Sequence, residues 1–291
     1  MSVLTELINQ LMNGIVIGLL YALIALGFMM IAGVMGVLNF SHGSLFAWGA
    51  YLAITLTPFI GFWLALIISP ILVGFIGVIL EFGVRRTYGK DPLYGLLLTF
   101  GAAMALEEVI RMIWGSIGRS MVIPAIVEGP LVLGPIAYSK YRVFLAGLAI
   151  LLIIATWFFL EKTPYGSYIK AGTHDSEMVK ALGVNIQTLR AVVFGIGSFL
   201  AGSAGIIAAP LWSIKPTMGV EAIMPAFVVV VVGGVGSFYG SIIGGLLVGV
   251  LTALAVMVMP AMSSLVMYVL MAVVLIVKPR GLMGEKSILE E

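Results

Sequence analysis

Long apolar runs separated by short polar segments dominate the pattern of this chain. No charged residue occurs between Glu6 and Glu81, and none occurs between Glu221 and Lys278. A helix needs about 20 mostly apolar residues to cross the hydrocarbon core of a bilayer. The first run therefore has room for about three crossings and the second for two or three.

The crossings are expected to be helices, because residues 148–155 and 227–232 are continuously apolar. Strands of a membrane barrel would alternate lipid-facing and lumen-facing residues instead. The pattern therefore predicts an all-α, polytopic helical membrane protein with about eight or nine transmembrane helices, some of them interrupted. The predicted helices lie near residues 7–33, 37–57, 61–84, 92–113, 141–160, 190–210, 222–236, 239–258 and 262–278.

Composition supports a membrane protein and excludes several kinds of chemistry. The chain is 62% hydrophobic and 10% charged, whereas about a quarter of the residues in a soluble domain are charged. It contains no cysteine, which excludes disulfides and thiolate metal sites. Its first residues lack the basic region of a cleavable signal, so we expect the first helix to remain as a permanent span.

Basic residues predict which loops face the cytoplasm. They concentrate in segments 81–91, 161–190 and 278–291, and two predicted crossings separate the first segment from the second. We therefore expect all three segments on the cytoplasmic side. The intervening segment 107–142 also carries four basic residues, so it fits this assignment less well.

Two glycine-rich segments, 33–43 and 233–241, interrupt the apolar pattern. Interrupted helices expose backbone donors and acceptors, and they often form transport sites. In the first segment, Asn39 or Ser41 could cap the following helix, whose N-terminus would favour a carboxylate. A turn at the membrane surface is an equally good interpretation of that segment. A turn is the better interpretation of the second.

A short amphipathic helix is predicted in the polar segment between the fifth and sixth crossings. Thr173 or Asp175 suits its start and Gly183 suits its end. Its apolar face would carry Met178, Ala181 and Leu182, and another face would carry Glu177 and Lys180. Such a helix is suited to docking a soluble partner, although a surface helix without a partner is the safer interpretation of these residues alone.

Three motifs together resemble the permeases of branched-chain amino acid ABC transporters. Asn39-Phe40-Ser41-His42-Gly43 resembles the family's Asn-Phe-Ala-His-Gly motif, with serine in place of alanine. The segments 177–202 and 233–245 resemble the family's cytoplasmic loop and its late glycine-rich segment. The motifs occur in the family's order over nearly the whole chain, which fits the shorter of the two permeases that the family pairs.

The resemblance implies a single transmembrane permease domain over residues 1–291, with a cytoplasmic coupling loop at 161–190, in the inner membrane of a bacterium or archaeon. Its expected partners are a second permease subunit, cytoplasmic ATP-binding subunits, an extracytoplasmic solute-binding protein and membrane lipid, without nucleic acid. Leucine, isoleucine and valine are the family's default solutes, and urea, amides and aromatic acids are known in relatives. The implied solute pathway comprises Asn39, Ser41, His42 and Gly43. The implied ATPase-docking residues are His174, Asp175, Glu177, Met178, Lys180, Ala181, Leu182 and Gly183.

Catalysis by the chain itself is not expected. The stretch 83–91 is the nearest approach to a phosphate-binding loop, but its spacing is wrong and Asp91 follows Lys90 where Ser or Thr is needed. We expect no cofactor, and the two histidines, His42 and His174, do not favour a metal site. An ion-coupled carrier, a channel and an intramembrane enzyme stay open as alternatives, although the uncharged runs offer few groups for proton coupling.

Overall fold

The computed structural model describes residues 3–36, 38–133, 136–174 and 176–284. Ten helices and one two-stranded hairpin form in these residues. The helices are α1 (Val3–Met35), α2 (Ser41–Val84), α3 (Pro92–Trp114), α4 (Lys140–Lys162), α5 (Pro164–His174), α6 (Ser176–Ala181), α7 (Ile186–Ala208), α8 (Met218–Gly233), α9 (Phe238–Val258) and α10 (Ser263–Val277). The strands are β1 (Pro130–Leu133) and β2 (Ile136–Ser139). Single helical turns occupy Arg85–Thr87, Ala125–Val127 and Pro260–Met262.

The predicted polytopic helical fold is confirmed. In the described residues, seven helices are long and apolar enough to cross a membrane, and α8 is a shorter apolar helix. The 44 residues of α2 are interrupted at Gly61, whose φ of 76° and ψ of 163° are not helical. Because Pro58 also lacks an amide proton, this position is a natural place for a helix to bend. The two parts of α2 correspond to the separately predicted helices 37–57 and 61–84.

The chain divides into two compact units. Unit 1 comprises Met1–Leu26, Val122–Leu151 and Met224–Glu291, and unit 2 comprises Gly27–Met121 and Leu152–Ile223. Each unit therefore combines segments that are distant in sequence.

A glycine seam joins α1 to α9 in unit 1. A methyl group on Gly14 would lie 2.7 Å from the Cα of Val250, and one on Gly249 would lie 2.4 Å from the Cα of Gly18. Helices in lipid associate by close packing at such small residues. Gly14 and Gly18, like Gly245 and Gly249, lie four residues apart in the sequence, and the structure identifies α1 and α9 as partners.

The antiparallel hairpin β1–β2 in unit 1 was not predicted. Leu131 pairs with Tyr138 across the two strands. The Tyr138 hydroxyl donates to Asn13 Oδ1 of α1 at 3.1 Å, and Arg142 donates to the same oxygen. Burial raises the pKa of Tyr138, with a smaller opposing effect of its hydrogen bond to Arg142. The hairpin, the start of α4 and Asn13 thus form one polar cluster.

The second glycine-rich segment forms a turn, as the sequence favoured. α8 ends at Gly233, and Gly234 and Gly236 adopt φ angles of 106° and 85° before α9 begins. The predicted helix 222–236 therefore ends three residues too late, and it begins four residues after the observed start at Met218. The amide groups of Leu282 and Met283 donate to the Val232 and Gly233 carbonyls, so the segment after α10 packs on this turn.

In unit 2, α2 packs along α7 through small residues. A methyl group on Gly49 would lie 2.2 Å from the Gly202 carbonyl oxygen, and one on Gly77 would lie 2.0 Å from Ser198 Oγ. Both parts of α2 therefore approach α7 at backbone distance.

Candidate functional site

The break between α1 and α2 is organised by Asn39. Its Oδ1 accepts a hydrogen bond from the Ser41 amide at 3.1 Å and one from the Ser41 hydroxyl at 2.6 Å. Asn39 therefore caps the start of α2, as an asparagine does at many helix starts. The side chains of Asn39, Ser41 and His42 are all buried. Asn39 Nδ2 has no hydrogen-bond partner in the described part of the chain.

The start of α2 is buried within unit 2, against the interior of α1. His42 packs beside Gly27, where an added methyl group would lie 3.0 Å from His42 Cε1. Gly27 precedes the end of α1 at Met35 by eight residues, which corresponds to about 12 Å along a helix. The ring of Phe28 contacts the imidazole edge-to-face, with centroids 5.7 Å apart. Protein groups therefore surround Asn39 and His42, and the level of this segment in the membrane stays a prediction.

Thr99 of α3 also supports the break, and sequence reasoning missed it. Its hydroxyl accepts from the Phe40 amide at 3.3 Å and lies within hydrogen-bond distance of the Leu38 and Leu96 carbonyls. Irregular backbone at membrane depth is tolerated only where protein groups or a water-filled cavity satisfy it. A buried threonine in an apolar helix is the sequence signal that could have found this position.

Two helix starts meet at Gly43. A methyl group on Gly43 would lie 2.3 Å from the carbonyl oxygen of Gly219, the second residue of α8. α8 has 16 residues, or about 24 Å of helix, which is shorter than a hydrocarbon core of about 30 Å. The N-terminal ends of α2 and α8 therefore lie together. Helix N-termini carry partial positive charge and favour anionic groups.

The predicted solute-pathway residues are thus brought together in the structure. Asn39, Ser41, His42 and Gly43 occupy one buried turn at the start of α2. Their role in a solute path stays a prediction, which the geometry of an interrupted, internally braced helix supports.

The predicted docking segment folds as two short helices. α5 follows α4 after a sharp turn, where Gly166 packs so closely that a methyl group would lie 2.1 Å from the Leu160 carbonyl oxygen. Thr173 was a predicted cap, but α5 continues through it to His174. The docking helix was predicted over 174–183, and the observed α6 covers only Ser176–Ala181.

α6 and the residue after it present exposed apolar side chains beside exposed charged ones. Met178 and Leu182 are 64% and 76% exposed, whereas Val179 between them is buried. Gly183 ends the helix with a φ of 85°, as the sequence predicted. Glu177, Lys180 and Ala181 are also exposed. Asp175 lies outside the described residues, and His174 is described only as the end of α5.

Contacts in unit 2 bring the end of α2 to the start of α7. Arg85 donates to Gln187 Oε1 at 3.3 Å, and the guanidinium carbon of Arg190 lies 4.2 Å from the centre of the Tyr88 ring. Segments 81–91 and 161–190 were predicted to lie on the same side of the membrane, and these contacts agree. Glu81, fully buried, pairs with Arg85 at 2.6 Å, a pairing that sequence reasoning missed.

The opposite end of unit 2 is aromatic. Trp114, the last residue of α3, packs against Trp48 and Tyr51 and donates from its indole to Thr55 Oγ1 at 2.8 Å. Arg119 pairs its backbone with Ile214 in both directions. Nearby in the sequence, Glu107 and Glu108 both pair with Arg111. Glu107 and Arg111 lie one helical turn apart, which is the spacing of an ion pair on a helix.

The family model and two similar known proteins all point to one family. Residues 10–275 match the family model described as branched-chain amino acid transport system / permease component. The chain is 28% identical to the high-affinity branched-chain amino acid transport system permease protein LivH of Escherichia coli (strain K12), over 97% of this chain and 96% of that protein. It is 29% identical to BraD of Pseudomonas aeruginosa, a permease protein of the same description, over 97% of each chain.

Two further similarities are more limited. The ribose import permease protein RbsC of Haemophilus influenzae is 35% identical over 33% of this chain and 32% of that protein. Among solved structures, PsaBC from Streptococcus pneumoniae in complex with Fab matches with a TM-score of 0.49 and 12% identity, covering 92% of this chain and 88% of that chain.

Proposed function

The chain belongs to the family of permease components of branched-chain amino acid transport systems, and we propose that it forms a membrane path of an ATP-driven importer for leucine, isoleucine or valine. Seven helices in its described residues are suited to crossing the membrane, and the chain is a multi-pass protein of the cell membrane. Its sequence carries no phosphate-binding loop, so a separate subunit would hydrolyse the ATP.

The observation that carries the proposal is the buried break at the start of α2. Asn39 and Ser41 hold an interrupted backbone at depth, and Asn39 Nδ2 has no hydrogen-bond partner among the described residues. An uncompensated buried donor costs free energy. A solute with an acceptor group would compensate it when the path is loaded.

The exposed face of α6 is the docking surface in this proposal. Met178 and Leu182 are apolar, well exposed and outside the candidate spans. A cytoplasmic ATP-binding subunit would bury them, with Glu177 and Lys180 beside them. A second permease subunit and an extracytoplasmic solute-binding protein complete the proposed importer, in line with the family resemblance.

A proton-coupled carrier is less favoured by the charges inside the spans. Glu81 is the buried carboxylate of α2, and it is neutralised by Arg85 in an ion pair. Intramembrane carboxylates of proton-coupled carriers serve as relays, a role that a carboxylate held in an ion pair suits poorly. The solute itself is proposed from LivH and BraD, which are named for branched-chain amino acid transport.

Reconstitution tests the proposal directly. The chain is placed in proteoliposomes with its second permease, with or without the ATP-binding subunits and the binding protein, and uptake of radiolabelled leucine is measured. Uptake is expected only when both partners and ATP are present. Uptake by the permeases alone under a proton or sodium gradient would contradict the proposal.

A charge reversal on α6 tests the docking surface separately. Glu177→Lys is expected to abolish co-purification of the ATP-binding subunit without lowering the amount of inserted permease. Glu128→Lys, which reverses an exposed carboxylate in the segment between α3 and α4, is the matched control and should leave co-purification unchanged. Undiminished co-purification with Glu177→Lys would overturn the assignment of α6.

A further inference from the structure

Arg85 joins the end of α2 to the start of α7. Its Nη2 lies 2.6 Å from Glu81 Oε2, and its Nη1 donates to Gln187 Oε1 at 3.3 Å. Glu81 is fully buried, and a buried carboxylate is costly unless it is paired. The pair therefore fixes the direction of the guanidinium group toward α7.

Tyr88 and Arg190 form a second junction between the same two elements. The guanidinium of Arg190 lies over the Tyr88 ring, at 4.2 Å from its centre, which is a cation–π arrangement. The Tyr88 hydroxyl has no hydrogen-bond partner in the part of the chain that the structure describes. Burial, followed by the nearby charge of Glu81, raises the pKa of Tyr88, so the ring stays neutral and contributes through its face.

These junctions lie between the docking helix and the break. On one side, α6 ends at Ala181 and residues 182–185 lead directly into α7, whose first amide groups are capped by Asn185. Gln187 and Arg190 therefore belong to the first turns of the helix that α6 precedes. A displacement of α6 would be transmitted to them over four residues.

On the other side, Tyr88 packs in an apolar cluster with the end of α1. The cluster is centred on Ile31, Val84 and Phe194, and Met35 packs against it together with Tyr88. Met35 is the last residue of α1 and immediately precedes the break. The cluster thus connects the Tyr88 ring to the segment that leads to Asn39.

We propose that Arg85 and Tyr88, with their partners Gln187 and Arg190, form the mechanical link by which movement of α6 reaches the break between α1 and α2. This inference rests on the proposed function, because it assumes that an ATP-binding subunit moves α6. The four residues are positioning residues and touch neither solute nor nucleotide. A chain of packed side chains and ion pairs carries coupling only if its elements move together, and the two junctions tie α7 to α2 for that purpose.

The test compares transport with ATP hydrolysis in the complete complex. Proteoliposomes containing both permeases, the ATP-binding subunits and the binding protein are assayed for radiolabelled leucine uptake, ATP hydrolysis and subunit co-purification. Tyr88→Leu and Arg190→Met are expected to lower leucine uptake per ATP hydrolysed by about fivefold, the lower end of typical coupling effects, with co-purification unchanged. Tyr88→Phe keeps the ring and should stay within about twofold of the wild type.

Two further variants keep the test decisive if a core substitution prevents folding. Gln187→Leu removes an exposed hydrogen-bond acceptor and should lower the leucine uptake per ATP hydrolysed by about twofold. Arg86→Met removes the neighbouring exposed cation and should leave the ratio unchanged. Combining Tyr88→Leu with Arg190→Met should cost no more than either alone, because both break one contact.

The experiment distinguishes a failure of the proposed link from a failure of the proposed function. If uptake per ATP is unchanged in Tyr88→Leu, Arg190→Met and Gln187→Leu, the link is overturned while the importer stands. If the variants lose co-purification and uptake in parallel, the residues support docking and the link is likewise overturned. If the wild type takes up no leucine with ATP, the proposed function itself fails.

Discussion

The backbone of Gly43 is packed directly against that of Gly219, so that a methyl group on Gly43 would lie 2.3 Å from the Gly219 carbonyl oxygen. This contact brings together the starts of α2 and α8; the first turn of α8 carries Glu221, which pairs with Lys215 at 2.6 Å. In lipid, such backbone proximity requires glycine on at least one side. The arrangement places two helix N-termini side by side.

Gly43→Ala should therefore separate the two helix starts. The methyl group meets backbone atoms that cannot rotate away. We therefore expect the rate of leucine uptake to fall by about tenfold, which corresponds to a rise of about 1.4 kcal/mol in the activation free energy. Gly101→Ala is the matched control, since nothing lies within 4 Å of a methyl group at that position of α3. Equal uptake by both variants would argue against a functional contact between α2 and α8.

Asn39 and Ser41 should differ sharply in their tolerance of alanine. Asn39→Ala removes the acceptor that caps α2 and a buried donor, so we expect leucine uptake to fall by about tenfold or more. Ser41→Ala leaves the amide of residue 41 bonded to Asn39 and removes only one neutral hydrogen bond, worth about 1 kcal/mol. Uptake by Ser41→Ala should stay within about twofold of the wild type. A reversed order of the two variants would contradict the assignment of Asn39 as the organising residue.

The α1–α9 seam is expected to control stability rather than transport. Gly249→Ala places a methyl group 2.4 Å from the backbone of Gly18, and overpacking of this kind typically costs about 1–3 kcal/mol. The thermal unfolding temperature in detergent should fall for Gly249→Ala. Gly147→Ala, at an open position of α4, should leave it unchanged. A similar decrease in both variants would contradict the seam, because Gly→Ala at an open helical position does not lower helix propensity.

The sequence was most informative where structure depends on local pattern. Helix number and type follow from the length of apolar runs, and the positions of most ends follow from charges, glycines and prolines. The turn at Gly233–Gly236 and the end of α6 at Gly183 were predicted because both need φ angles that glycine adopts readily. Gly245 and Gly249 likewise have the four-residue spacing of a packing seam.

Features that depend on distant partners were not predictable. Thr99 supports the break only because Phe40 lies beside it, 59 residues away in sequence. The Arg85–Gln187 contact spans 102 residues, and neither residue type marks it. Strands β1 and β2 have four residues each, and such short apolar stretches do not stand out in a chain whose longer apolar runs are spans. For the same reason, the sequence did not show which helices pack together at the glycines.

Thiol labelling of α6 is the most direct test of the claim that α6 faces the cytoplasm and binds the ATP-binding subunit. The chain contains no cysteine, so no other thiol reacts in the background. Met178→Cys creates a single thiol at a position that is 64% exposed, and Ile117→Cys creates one at an 82% exposed position beyond the end of α3. A membrane-impermeant thiol reagent is applied to intact cells and to inverted vesicles, with and without the ATP-binding subunit. We predict that position 178 reacts only in inverted vesicles and is protected by the ATP-binding subunit, while position 117 reacts in intact cells. Reaction of position 178 from outside intact cells would contradict the importer model.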